Sequence, residues 1–120
     1  MLRKLVVISA IASSAASAAP IHELWSCRAV SGGPIVLSAS VSKEDDVTMA
    51  LVVAAGDIKE AIYYVEGINR RWDYGPLLDK KLPRFSFVIE PDGTGLYVDF
   101  INGYPAKSSQ QFQCELDTFR

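Results

Sequence analysis

Arg84-Phe85-Ser86-Phe87-Val88-Ile89-Glu90, then Pro91-Asp92-Gly93-Thr94-Gly95, then Leu96-Tyr97-Val98-Asp99-Phe100-Ile101 is the stretch that decides the fold. The first segment alternates Phe85, Phe87 and Ile89 on one face, the period of a half-buried strand. The middle segment is turn chemistry: Pro presets φ, Asp bonds to nearby backbone, and Gly accepts a positive φ. The third returns with Leu96, Val98 and Phe100 on one face, so 84–101 reads as a β-hairpin.

Working outward, similar segments recur at intervals of about ten residues, punctuated by Gly, Pro, Asp and Asn, the pattern of an antiparallel all-β domain. Residues 23–30 and 34–42 read as strands around Ser31-Gly32-Gly33, with Ile35, Leu37, Ala39 and Val41 alternating against polar positions. Residues 111–119 form the last strand, with Phe112, Cys114, Leu116 and Thr118 on one side. Residues 47–55 and 58–66 read as strands around Gly56-Asp57. A helix competes there, because acidic residues 44–46 precede the helix formers Met49-Ala50-Leu51. The β-branched and aromatic content favours strands. A short strand, 68–74, ends at Gly75-Pro76, and 75–83 is a loop.

The N-terminus has a different character. Arg3 and Lys4 precede an apolar run over 5–12 and a small-residue stretch over 13–18, the order of a secretory signal peptide cut after Ala18. The apolar run is too short for a span, which takes roughly 18 residues or more. We therefore expect residues 1–18 to be removed, leaving 19–120 as one exported domain, periplasmic or extracellular, with a loose lead-in over 19–23. Removing Arg3 and Lys4 from 12 Lys plus Arg leaves 10 against 14 Asp plus Glu, net −4. That balance disfavours a nucleic-acid binder.

Both cysteines, Cys27 and Cys114, lie in the exported part, and an even count in such a chain points to a disulfide. Bridged residues must have Cα atoms about 4.4 to 6.8 Å apart, so the first and last strands are neighbours or face each other. The expected fold is a small all-β antiparallel barrel or sandwich of about 6 to 8 strands, with its first and last strands joined.

Little in the chain supports catalysis. The lone histidine, His22, has no nucleophile with triad context and no partners at metal-ligand spacing. Glu90, Asp92 and Asp99 leave a carboxylate-based hydrolase open, yet each has a simpler reading as a solvent-facing or turn residue. No enzyme, metal or cofactor is expected.

The most distinctive segment is Arg70-Arg71-Trp72-Asp73-Tyr74. With Lys80, Lys81 and Arg84 it concentrates cations beside Trp72 and Tyr74, chemistry that suits an acidic protein or an anionic envelope component. The bland alternative is a core tryptophan flanked by solvated charges. If Trp72 and Tyr74 face inward, so does Arg70, which then needs a carboxylate or an open end of the fold. Tyr104, in the loop 102–110, is a further candidate contact. The leading expectation is a non-catalytic exported domain that binds a protein or envelope component, and the alternative is a carrier of small apolar ligands. In architecture alone the domain resembles the bacterial periplasmic lysozyme inhibitors. The Ser- and Gly-rich inhibitory loop of that family has no counterpart, since Ser38-Ala39-Ser40 is too short, and no residue role is carried over.

Overall fold

A computed structural model describes residues 21–76, 82–101 and 109–117. Residues 1–20, including the expected signal peptide, lie outside them, as do Lys80, Lys81 and Tyr104. The described strands are β1 (Ile21–Ala29), β2 (Ile35–Glu44), β3 (Val47–Ala54), β4 (Asp57–Glu66), β5 (Asn69–Tyr74), β6 (Phe85–Ile89), β7 (Thr94–Asp99) and β8 (Gln110–Asp117). Each pairs antiparallel with the next, and β8 returns to β1, closing an up-and-down barrel. Closure removes the sheet edges that an open β domain would have to protect.

The hairpin forms as the sequence indicates. Gly93 takes a φ of 94°, its N–H donates to Glu90 O (2.9 Å), and the Asp92 carboxylate accepts the Thr94 N–H (2.9 Å). The turn sets the register Ile89↔Gly95, Phe87↔Tyr97 and Phe85↔Asp99. This register puts Gly95, Tyr97 and Asp99 inside and turns the Leu96 and Val98 face outward. Gly95 belongs inside because a Cβ there would lie 2.7 Å from Cys114 Sγ and 2.9 Å from Phe87 Cζ.

The middle of the chain is strand rather than helix. Ala55 and Gly56 both take positive φ, 52° and 83°, giving the two-residue hairpin whose twist matches its flanking strands. The lead-in is also shorter than expected. β1 begins at Ile21, and His22 sits in it, with its Nδ1 3.0 Å from Ser42 Oγ and its Nε2 3.5 Å from Glu44.

Cys27 and Cys114 are directly opposite in the β1–β8 seam and are disulfide-bonded. The Cys114 N–H is engaged on the other side, donating to Gly93 O (2.8 Å), so the two cysteines form a non-hydrogen-bonded pair, in which side chains approach most closely. A bridge of this kind belongs to a non-reducing environment.

Trp72 is the centre of the core and fully buried. Its ring contacts Tyr63 (centroids 5.0 Å apart) and Phe87 (6.2 Å), and its Nε1 donates to Ser40 O (2.9 Å). Below it, one end of the barrel is plugged. Arg70 points inward and donates twice to Glu23, at 2.8 and 3.0 Å. Its guanidinium lies 5.0 Å over Trp25, whose Nε1 also donates to Glu23 (3.1 Å). The Arg70 bond holds the Glu23 carboxyl below its ordinary value of 4.5, against the opposing effect of burial. A lowered carboxyl contributes stability that is present above the unfolded pKa and lost as pH falls through the folded one. We expect the urea midpoint to hold above about pH 5 and fall below it, with Glu23→Gln flattening that acid limb. An identical acid limb in wild type and Glu23→Gln would remove this pair from the stability balance.

Candidate functional site

The end opposite the plug is open. Here β1, β3, β5 and β7 finish and β2, β4, β6 and β8 begin. An eight-stranded barrel has an interior that side chains just fill or that holds one small ligand. Inward positions near this mouth are small, Ala29 on β1 and Ala54 on β3, and they leave a cavity of about 470 Å³. Leu37, Val52 and Phe112 give it apolar walls. One side is an aromatic ladder: Tyr74 stacks on Phe85 (5.3 Å) and Phe85 on Tyr97 (5.8 Å). The cavity lies within the range of about 300 to 1,000 Å³ typical of small-molecule sites, and it has their apolar lining with few polar groups.

Those polar groups are Tyr74, Tyr97, Asp57, Lys59 and Gln110. Tyr74 and Tyr97 belong to the same stacked ladder, through Phe85, and lie close enough to influence each other's phenols. Burial first, and then Tyr97, pushes the Tyr74 phenol up. Tyr97 is raised mainly by burial and secondarily by Asp99. Both therefore remain protonated, and each phenol can donate to a ligand. A second hollow, of about 500 Å³, lies along Ile35, Val36, Val53 and Gly56 beside the mouth.

The described arginines of the basic segment, Arg70, Arg71 and Arg84, face different parts of the barrel, and Lys80 and Lys81 lie outside the described residues. Period-two alternation sends Arg70 into the plugged end and Arg71 to the outer face, while Arg84 sits near the mouth. Arg71 pairs with Asp73 (2.8 Å) and Glu66 (3.0 Å) and donates to Ser86 Oγ (3.1 Å). Ser86, 1% exposed, donates in turn to Asp73 (2.6 Å), as does the Tyr64 hydroxyl (2.7 Å). Burial and that bond push the Tyr64 phenol up to about 12. Arg84 pairs with Asp99 at 3.1 and 3.4 Å and lies 4.9 Å over the Phe85 ring. Each of these three arginines thus has its own carboxylate, and they do not form one basic surface. Trp72 is core, not a surface contact, and Tyr74 faces the cavity.

Two of the hairpin's three carboxylates are similarly engaged, Asp99 with Arg84 and the Ile101 N–H (3.0 Å) and Asp92 with its own turn. Among the described residues no group of three or more His, Cys, Asp or Glu is placed to hold a metal ion. The outer face of β3 and β4 carries exposed apolar residues, Met49 (57%), Ile58 (67%) and Ile62 (72%). Sequence reasoning did not locate the cavity. The available signal was the pair of alanines at inward positions 29 and 54, where a closed barrel would otherwise need bulk. No family model matches the chain, and neither curated proteins nor solved structures provide a match.

Proposed function

We propose that this chain is a non-catalytic exported carrier that takes a small apolar molecule into the open end of its barrel. The observation that carries the proposal is the mouth itself, an apolar cavity of about 470 Å³ in a barrel plugged at the other end by Arg70 and Glu23. Export is supported by the leader-like N-terminus and by the Cys27–Cys114 bridge. Burying an apolar ligand contributes about 25 cal/mol for each Å² removed from water, offset in part by the ligand's lost freedom of motion.

A neutral naphthalene dye tests the proposal. Saturable binding at one site per chain is expected, with Ala54→Phe, which fills the mouth, weakening it about tenfold or more while leaving the melting temperature close to wild type. Equal dye affinity in wild type and Ala54→Phe, or no saturable binding, would overturn it.

A second reading, docking of a protein or envelope partner, is favoured by the exposed apolar residues Met49, Ile58 and Ile62 on one outer face of the barrel. It predicts that binding involves the outside of the barrel and is indifferent to filling of the mouth.

A further inference from the structure

The polar groups around the mouth narrow the ligand class, on the premise that the barrel is a carrier. The inward face of β4 begins with Asp57 and Lys59, as the register Ala54↔Asp57 and Val52↔Lys59 shows, because Val52 is fully buried within the barrel. A lysine facing inward at a barrel mouth lays its methylene stem on the apolar wall and keeps its ammonium at the water boundary.

The arginines in the described residues are already committed. Arg28 donates to Gly33 O (3.1 Å), and Arg70, Arg71 and Arg84 pair with carboxylates. Among the described residues Lys59 makes no ion pair. Asp57, on the same face and also lining the cavity, sits one step nearer the 55–56 turn and therefore farther out toward solvent. The Lys59 ammonium is thus the cationic group that this wall offers to a head group at the boundary with water.

The facing wall supplies the second donor. Tyr97 on β7 is separated from β4 by β5 and β6, lines the cavity and keeps its phenolic proton. An ammonium and a phenol on opposite walls, above an apolar chamber, match an acceptor-only anionic head on an apolar chain. At roughly 30 Å³ for each non-hydrogen atom, the chamber takes a chain of about ten carbons and a carboxylate.

We propose that the ligand is a single-chain amphiphile with an anionic head, its chain against Val52 and Phe112 and its carboxylate between the Lys59 ammonium and the Tyr97 hydroxyl. A hydrogen bond to a charged group is worth more than a neutral one, so the head group sets the preference among chains of equal length.

The test is calorimetric titration at low salt, below the micelle threshold, with a medium-chain alkyl carboxylate and the matched alcohol and ammonium. Wild type should prefer carboxylate over alcohol by about tenfold and bind ammonium most weakly. Lys59→Gln should remove most of that preference, weakening carboxylate binding more than alcohol binding, and Lys59→Glu should invert the order toward ammonium. Tyr97→Phe should weaken carboxylate binding by about threefold to tenfold. Equal affinity for carboxylate and alcohol in wild type, or a preference unaltered by Lys59→Gln, would overturn the head-group assignment and leave the carrier standing. Failure of all three ligands to bind would overturn both.

Discussion

Replacing Cys27 and Cys114 together by alanine is expected to lower unfolding free energy by about 4 to 5 kcal/mol, as the chain-entropy model gives for a loop this long. The bridge spans 87 residues, nearly the whole described domain. It sits within the seam from Leu24↔Asp117 to Ala29↔Phe112, where the two ends of the chain must find each other. Loop-closure entropy opposes this pairing more than any hairpin of the barrel. Domains of this size are stable by only about 5 to 15 kcal/mol, so the loss is a large share of the total. Urea unfolding of oxidised wild type, reduced wild type and the double alanine variant measures it. A difference under about 1 kcal/mol between oxidised and reduced protein would mean that the β1–β8 ladder closes the barrel without help.

Trp72→Ala should cost about 3 to 5 kcal/mol, the usual range for removing a large buried aromatic. It strips the core of its contacts with Tyr63 and Phe87 and deprives Ser40 O of its indole donor. Trp72→Phe retains a ring but not the donor, so it should fall between, at about 1 to 3 kcal/mol. Chemical denaturation of both variants gives the comparison. If Trp72→Ala costs less than about 1 kcal/mol, the indole is not the centre of the core. This residue stood out in the sequence as a possible partner contact, and its fully buried position makes stability the property it should govern.

Local chemistry made much of the fold legible. The alternation of Phe85, Phe87 and Ile89 and the Pro91-Asp92-Gly93 turn identify a hairpin without reference to the rest of the chain, and two cysteines near the ends bring the first and last strands together. The outer face of β7 was harder to assign, because Leu96 and Val98 look like core residues. What puts them outside is a nonlocal fact, the Cys114 sulfur and Phe87 ring occupying the space above Gly95. Ala55 likewise gives no sign in the sequence of the positive φ it takes in the turn between β3 and β4.

The site was less legible for the same reason. Arg70 facing inward was foreseeable from alternation, as was its need for a carboxylate, but its partner Glu23 lies 47 residues away in what read as a loose lead-in. The clustered cations of 70–84 suggested one surface, whereas alternate sidedness and the turn of the barrel send the described ones to three places. A cavity is a deficit of side-chain volume, and alanines at 29 and 54 reveal it only once every neighbouring strand is in register.

The most direct test of the carrier is an amide NMR titration of the oxidised protein with a medium-chain alkyl carboxylate. Shifts concentrated at Val52, Ala54, Lys59, Tyr97 and Phe112 are the expected result, placing the ligand in the mouth. Shifts confined to the outward Met49, Ile58 and Ile62, or no saturable shifts, would contradict it.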